Sequence, residues 1–478
     1  MRSGLVAAVL MVLVATPAAA ETYYVRPDGG SFEQCTGKQD APYAGSGAHL
    51  ACAWRHPFEA LPPNGSTRIE GGDTLLIADG SYMMGLGAPG TDKLPKCTES
   101  AWDCFAAAVP SGPAPDRPTR VLGAESESGC KHAPQLWGTQ RAATVLDLRG
   151  SSNVEIACLE ITDHSSCIEF HNGRPRDRCE RDKAPYGEWA AVGITASDSK
   201  NVSLRDVNIH GLAHDGVRAA RLRDWSVQRV RINGNGWAGW NGDIGGDSSN
   251  EGRLLFRDVE IAWNGCGERY PGGAHFGCWG QQDGGYGDGL GTAATAGDWV
   301  FERVNVHHNT QDGLDLLHAS ANASVAFRDV RAQANAGNQL KASGAVTVEN
   351  SNIVGSCSAL VDEGGLSSAD ACRAQGNALS IHPSVHARVL IHDNTIEGEG
   401  DCLIDLGCAS HVCAGTQVNI AHNVLHGSER KNSSARLPCS VWADPNLRGA
   451  ALNFDDNEID STRNAGCPEM FTHCTRRE

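Results

Sequence analysis

The stretch DWVFERVNVHHNTQDGLDLL, from Asp298 to Leu317, contains the pattern from which the architecture can be predicted. It combines a short alternating strand, a polar turn, a second short strand and an Asp-Gly turn before an apolar pair. Equivalent positions recur with a period in the low twenties of residues, since Val300 to Val325 is 25 residues and Val325 to Val346 is 21. Short strands at such a period are typical of a stacked solenoid. The same plan recurs in residues 201–220, 224–239, 253–265, 323–342 and 345–356.

An antiparallel sandwich would also contain many short strands. The repeats, however, resemble one another residue by residue, with Val, Ile and Leu at matching offsets, as expected when identical rungs stack. We therefore predict an all-β right-handed parallel β-helix, with one domain over residues 21–478. Residues 22–95 should form an N-terminal cap, and residues 440–478 a C-terminal cap held by disulfides. Residues 93–137 are rich in Cys, Pro and Gly and predict a loop excursion.

Residues 1–20 are typical of a secretory signal peptide, with Arg2, an apolar core and a small-residue cleavage site. All 18 cysteines follow this segment, and an even number in an exported chain favours disulfides over zinc. The connectivity stays open, although Cys266/Cys278 and Cys357/Cys372 would each close a local loop. No later stretch is long and apolar enough to cross a bilayer. We expect a secreted protein, extracellular or periplasmic, without a membrane partner and monomeric.

The net charge of −17 argues against nucleic acid and anionic membranes as partners, because both would be repelled. An anionic polysaccharide would be repelled as well, unless bound cations reverse the field locally. Aromatic residues in NGWAGWNGD, residues 235–243, are candidates either for stacking on sugar rings or for loop packing.

Asp-Gly turns fall at one position of successive rungs, and Asp288 and Asp312 belong to two of them. Neighbouring strands lie about 4.8 Å apart, so carboxylates there are close enough to share a Ca²⁺. Asp315 should point outward, because Leu314 and Leu316 have the apolar character of inward residues. Asp-Gly is also common in turns for backbone reasons, and we assign Asp215 to that role. For Asp288, Asp312 and Asp315 together we expect cation binding, with Gln311 adding a carbonyl ligand, because clustered carboxylates otherwise raise one another's pKa.

Lys341 lies three residues after Asn338, as Asp315 lies three after Asp312. The lysine should therefore stack beside Asp315 on the next rung. Stacking alone leaves two interpretations open, an ion pair with the aspartate and a catalytic base beside a cation.

The order of a G-D-G turn, then Q-D-G-L-D, then G-N-Q-L-K one rung later resembles the polysaccharide lyase family nine pectate lyases. The opening TYYVRPDGGS, residues 22–31, is also similar to the first rung of that family. The resemblance implies a parallel β-helix with Ca²⁺ held by aspartates and a lysine as Brønsted base. Gln311 stands where the family has a carboxylate, so we expect weakened Ca²⁺ binding. Carried over residue by residue, the resemblance assigns Asp288, Gln311, Asp312 and Asp315 to the metal and Lys341 to catalysis.

The predicted function is a secreted Ca²⁺-dependent lyase that cleaves a uronate-containing, pectate-like polysaccharide by β-elimination. A glycoside hydrolase or an epimerase on the same fold is an alternative, although the motifs of neither are evident. The non-enzymatic alternative is an exported β-helix that binds carbohydrate or a cell surface.

Overall fold

The computed structural model of the chain describes residues 20–63, 65–169, 184–278, 287–362, 376–410, 412–429, 437–463, 470–471 and 473–476. Within them, three stacks of parallel strands form a right-handed parallel β-helix, as predicted. The predicted signal peptide lies, apart from Ala20, outside these residues, as does Cys372 of the predicted Cys357/Cys372 bridge. No helix in the described part of the chain has the length and hydrophobicity that a membrane crossing requires.

The first stack contains the most strands, and three of them continue into the second stack. Its strands are Thr22–Gly30, Thr74–Ile77, Thr119–Gly123, Ser152–Asp163, Lys200–His210, Arg223–Gln228, Glu251–Arg257, Asp298–Glu302, Ser324–Arg328, Ala345–Glu349, Arg388–His392, Gln417–Ala421, Ala451–Asp460 and His473–Arg476. The second stack adds Ser81–Met84, Gln135–Gly138, Arg231–Asn233, Glu260–Ala262, Asn305–His307, Arg331–Gln333, Asn352–Gly355, Thr395–Gly398 and Val424–Gly427.

The third stack carries the candidate site on its outward face. Its ten strands are Ala142–Asp147, Ala190–Ser197, Val217–Ala220, Trp240–Asp247, Leu290–Ala294, Leu314–Leu316, Leu340–Ser343, Leu379–His382, Cys402–Leu406 and Cys439–Ala443. An antiparallel hairpin of Gly267–Arg269 and Ala274–Phe276 is inserted between two rungs. Short α-helices span Pro57–Ala60, Pro95–Glu99 and Cys357–Asp362, and 3₁₀ turns span Thr91–Lys93, Ala101–Asp103 and Pro445–Leu447.

Inward residues of matching type fill the core between the stacks. Phe256, Phe301 and Phe327 pair across three consecutive first-stack strands, with ring centroids 5.1 and 5.4 Å apart. The register pairs Val325 with Trp299 and with Val346. The inferred match of Val300 with Val325 is therefore wrong by one residue.

A ladder of buried asparagines defines the turn from the second to the third stack. The side-chain amide of Asn264 donates to Asn309 Oδ1 at 2.9 Å, and that of Asn309 donates to Asn335 Oδ1 at 2.8 Å. Asn235 and Gln339 extend the ladder at its two ends. Each amide thereby also satisfies a backbone group that would otherwise be buried without a partner. The ladder aligns the residues that follow it on successive rungs, including the candidate site.

Six disulfides join described cysteines, and none of the described cysteines is free. They include the predicted Cys266–Cys278 bridge. The others are Cys35–Cys52, Cys97–Cys104, Cys130–Cys158, Cys402–Cys439 and Cys408–Cys413. These bridges confirm that the cysteine-rich loop excursions are tied down by disulfides.

Candidate active site on the third stack

One column of outward residues on the third stack contains the candidate lysine and one of the candidate aspartates. The register pairs Gly291 with Asp315, and Asp315 with Lys341. Leu314 and Leu316 on either side of Asp315 are fully buried, so the aspartate projects outward as the alternation predicts. Asp315 and Lys341 are thus neighbours on adjacent rungs.

Asp288 and Asp312 lie at the turns that lead into this stack, one rung apart. The backbone N–H of Gly289 donates to the carbonyl of Asp312 at 2.9 Å. Each carboxylate also uses Oδ1 to accept a backbone N–H of the next rung: Asp288 from Asp312 at 2.9 Å, and Asp312 from Asn338 at 2.6 Å. The aspartates therefore do help to build the turns, while Oδ2 of each carboxylate is left for other partners.

Gly291 provides the space into which Asp288 points. A Cβ atom at position 291 would lie 2.5 Å from Asp288 Oδ2, closer than any real contact. No described residue forms a hydrogen bond to that oxygen. Burial, followed by the charges of Asp312 and Asp315, raises the pKa of Asp288 well above its ordinary value.

Lys341 connects the other two carboxylates. Its Nζ lies 3.0 Å from Asp312 Oδ2 and 2.7 Å from Asp315 Oδ2, and 14% of the side chain is exposed. Burial lowers the pKa of Lys341, but the charges of Asp312 and Asp315 outweigh it and leave the pKa above its ordinary value. Burial and the charge of Asp312 raise the pKa of Asp315. In this arrangement the lysine is an ammonium and serves as the counter-ion of the aspartates.

Gln311 is the most unusual polar side chain in the group. It is 1% exposed, and neither its amide oxygen nor its amide nitrogen has a hydrogen-bond partner in the described part of the chain. An orphaned buried amide costs free energy, on the order of 1–3 kcal/mol for each unsatisfied group. A buried amide without a protein partner calls for another one, such as an ordered water or a bound ion.

These residues line one cavity of about 460 Å³ that opens on the outward face of the third stack. The wall also includes Trp240, Asn241 and Asp243 from the aromatic stretch 235–243, together with Thr292 and His318, which the sequence motifs did not identify. Thr292 and His318 carry no signature of their own in the sequence. Only the register of the strands would have brought them together.

The predicted convergence of carboxylates is not realised as a ready-made metal centre. Within the described ranges, no group of three or more His, Cys, Asp or Glu residues is arranged to hold a metal ion. The physical reason is that the Lys341 ammonium lies where a cation between Asp312 and Asp315 would lie. The residues nevertheless fit a divalent cation in charge and in ligand chemistry. With all three carboxyl groups ionised, the group would carry a net charge of minus two, and among the described residues neither Gln311 Oε1 nor Asp288 Oδ2 has a hydrogen-bond partner.

Of the two interpretations of the aromatic stretch 235–243, the burial of its tryptophans favours packing. Trp237 and Trp240 are 8% and 1% exposed, so they pack inside rather than present a stacking surface. Trp237 stacks on His214 with ring centroids 3.4 Å apart. The inserted hairpin, 267–276, lies over the second stack, where Glu268 contacts His210, and it does not line the cavity.

No protein-family model and no curated protein sequence matches the chain. Among solved structures, the fold is similar to that of the pectate lyase Pel9A, with 13% identity over 94% of this chain and 82% of that chain (TM-score 0.42). It is also similar to an alginate lyase from Paenibacillus sp. str. FPU-7, with 13% identity over 78% of this chain and 92% of that chain (TM-score 0.38). A rhamnogalacturonan lyase has 12% identity over 93% of this chain and 84% of that chain (TM-score 0.41). At these identities the likeness concerns the fold alone.

Proposed function

We propose that this protein is a secreted Ca²⁺-dependent polysaccharide lyase that cleaves a uronate-containing, pectate-like polymer by β-elimination. The observation that carries the proposal is the lysine held by two carboxylates in an open cavity on the outward face of the third stack. An exposed ion pair would not need the third carboxylate of Asp288 or the orphaned amide of Gln311. Asp288 and Gln311 would both have binding partners if a cation and a substrate occupied the cavity.

Four side chains would hold the cation: Asp288, Gln311, Asp312 and Asp315. When bound, Ca²⁺ supplies positive charge that neutralises a uronate carboxylate and acidifies the proton on C5. The ligands are oxygens, which is the donor type that Ca²⁺ prefers. The amide of Gln311 contributes no charge, so we expect a weaker site than one with a carboxylate at this position.

Lys341 is the proposed base. It removes the C5 proton, the electron pair of that bond forms the C4–C5 double bond, and the bond from C4 to the glycosidic oxygen breaks. The leaving oxygen takes a proton from solvent. An amine accepts a proton only when it is neutral, so Lys341 acts only while Asp312 and Asp315 are engaged elsewhere and no longer hold it as an ammonium.

The experiment is an absorbance assay near 235 nm, where the unsaturated uronate produced by elimination absorbs. Pectate, alginate and a glycosaminoglycan are each incubated with the protein in Ca²⁺ or in chelator. We expect absorbance to rise with one of these polymers in Ca²⁺ and to stay flat in chelator. New reducing ends without the chromophore would identify a hydrolase, and binding without either product would identify a carbohydrate-binding protein. Both outcomes contradict the proposal.

A further inference from the structure

A second cavity, of about 480 Å³, lies on the same face of the third stack, nearer the N-terminus. Its floor is formed by residues of three third-stack strands, among them Thr144, Thr195 and Arg218. Its wall comes from the cysteine-rich excursion, through Trp102 and Phe105. Neither this cavity nor its wall is used by the chemistry proposed above.

The register places the two cavities on one line. Thr195 pairs with Arg218, and Arg218 with Asn241. Asn241 pairs with Gly291, which pairs with Asp315 beside Lys341. Arg218 and Lys341 are therefore four strands apart in one outward column, or about 19 Å at the usual strand spacing. A polymer that lies along this column would reach both cavities.

Arg218 has an unusual environment for a half-buried guanidinium. No ion pair or hydrogen bond connects it to any described residue, whereas Arg149 in the same cavity is held by Asp147 at 2.9 and 2.7 Å. The guanidinium of Arg218 thus has all five N–H donors available for a ligand. Arginine binds carboxylates in a two-point geometry, and such bonds are stronger than those between neutral groups.

The aromatic wall is fixed by a disulfide and is suited to packing against the ring of an acidic sugar. Trp102 and Phe105 flank Cys104, whose disulfide to Cys97 fixes the excursion. Arg149 lies 5.3 Å from the ring of Phe105 and so supports that ring. The remaining charged or titratable lining groups are Asp103, Glu169 and His214. An apolar wall beside a few convergent polar groups is typical of a site for an amphipathic small ring.

We propose that this second cavity binds a carboxylate-bearing sugar residue of the polymer, with the carboxylate on Arg218 and the ring against Trp102 and Phe105. The inference rests on the proposed function in one respect, the uronate character of the polymer. It adds a binding site about four rungs from the reacting bond, so that long chains bind more tightly than short ones.

The test is calorimetric binding of size-graded oligogalacturonates and oligomannuronates in Ca²⁺, in a Lys341→Ala background that leaves the oligomers intact. With the second cavity unaltered, we expect affinity to rise by about tenfold once an oligomer exceeds about 19 Å. Adding Arg218→Ala should remove that rise and leave short oligomers unaffected, and Arg218→Lys should restore only part of it. Arg388→Ala is the matched control, since Arg388 is an exposed first-stack arginine, and it should retain the full rise.

An unchanged rise in the Arg218→Ala variant, or no rise with length in any protein, would overturn this proposal. Absorbance at 235 nm with the wild type separates it from the lyase proposal. Cleavage of short oligomers without a length effect contradicts only the second cavity. A length effect without the chromophore contradicts only the lyase.

Discussion

Lys341 shows how neighbours on one rung determine the chemistry of a side chain. An isolated lysine titrates near about 10.4, and burial alone would make Lys341 easier to deprotonate. Asp312 and Asp315 reverse that effect. The aspartates therefore keep the lysine charged in this structure, and under the proposed mechanism a bound cation would release it. Such coupling would explain why three carboxylates and one amine occur together.

Gln311 offers a test at the residue scale that needs no substrate. We predict that Gln311→Leu is at least as stable as the wild type in chelator, because it removes two orphaned buried polar atoms. In Ca²⁺ the wild type should gain thermal stability through ligand binding, and the variant should gain much less. Thermal unfolding in both buffers gives the comparison. Equal Ca²⁺-dependent shifts for the two proteins would exclude Gln311 as a ligand.

At the scale of single elements, the asparagine ladder is the part of the fold that aligns the site. Asn309 is fully buried and bonds Asn264, Asn335 and the carbonyl of Ile261. Its replacement would leave groups on two neighbouring rungs without partners. The same ladder precedes Asp312 by three residues, so a disturbance here reaches the carboxylates.

We predict that Asn309→Ala costs about 1–3 kcal/mol of unfolding free energy, the usual range for a buried group left unsatisfied. Denaturant unfolding measures the loss. Asn446→Ala in the exposed 3₁₀ turn Pro445–Leu447 is a suitable control and should cost far less. A loss within about 0.5 kcal/mol at Asn309 would show that the ladder is not structurally important.

The inserted hairpin is anchored to the second stack by a charged cluster. His210 lies between Glu160 and Glu268, 3.0 and 3.1 Å from their carboxylates. Burial lowers the pKa of His210, but these two carboxylates outweigh it and raise the pKa to about 9. The hydrogen bond from His210 in turn lowers the pKa of Glu160. Other titratable groups around the cluster are Asp163, His164 and His275.

Because its folded-state pKa is raised, His210 contributes stability that is fully present below about pH 6.5 and lost as the pH rises toward 9. We predict that His210→Gln lowers the melting temperature by several degrees at pH 6 and by much less above pH 9. Melting curves of both proteins across this range provide the measurement. A difference that stays constant with pH would show that the charged form is not what anchors the hairpin.

At the scale of the whole molecule, the charge of −17 opposes the approach of an anionic polymer. Salt screens this repulsion between separated charges. We predict that, at saturating Ca²⁺, KM for the polyuronate falls as NaCl rises from about 20 to about 200 mM. Initial rates across substrate concentration at each salt level test this. A KM that rises with salt would instead point to attraction by a local basic surface.

The large-scale architecture was predictable because each rung repeats its apolar offsets and its turn residues. The pairing of Asp315 with Lys341 followed from counting within two such rungs. Counting failed by one residue at Val300, since Trp299 and Val300 are both apolar and either can be the inward residue. The second cavity at Arg218 could not be predicted from the sequence, because its wall is supplied by residues more than 100 positions earlier in the chain.

The central claim is that Lys341 is the catalytic base, and the rate of β-elimination by a Lys341→Arg variant tests it most directly. Arginine preserves the positive charge and the length needed to contact Asp312 and Asp315, but a guanidinium does not lose its proton in the working range. At saturating Ca²⁺, with the polymer that the wild type accepts, we predict a rate of 235 nm absorbance increase at least about a thousandfold lower, in the range that loss of a general base produces. Lys200→Ala, at an exposed first-stack lysine, should keep the wild-type rate. An arginine variant that retains most of the activity would contradict the assignment of Lys341 as the base.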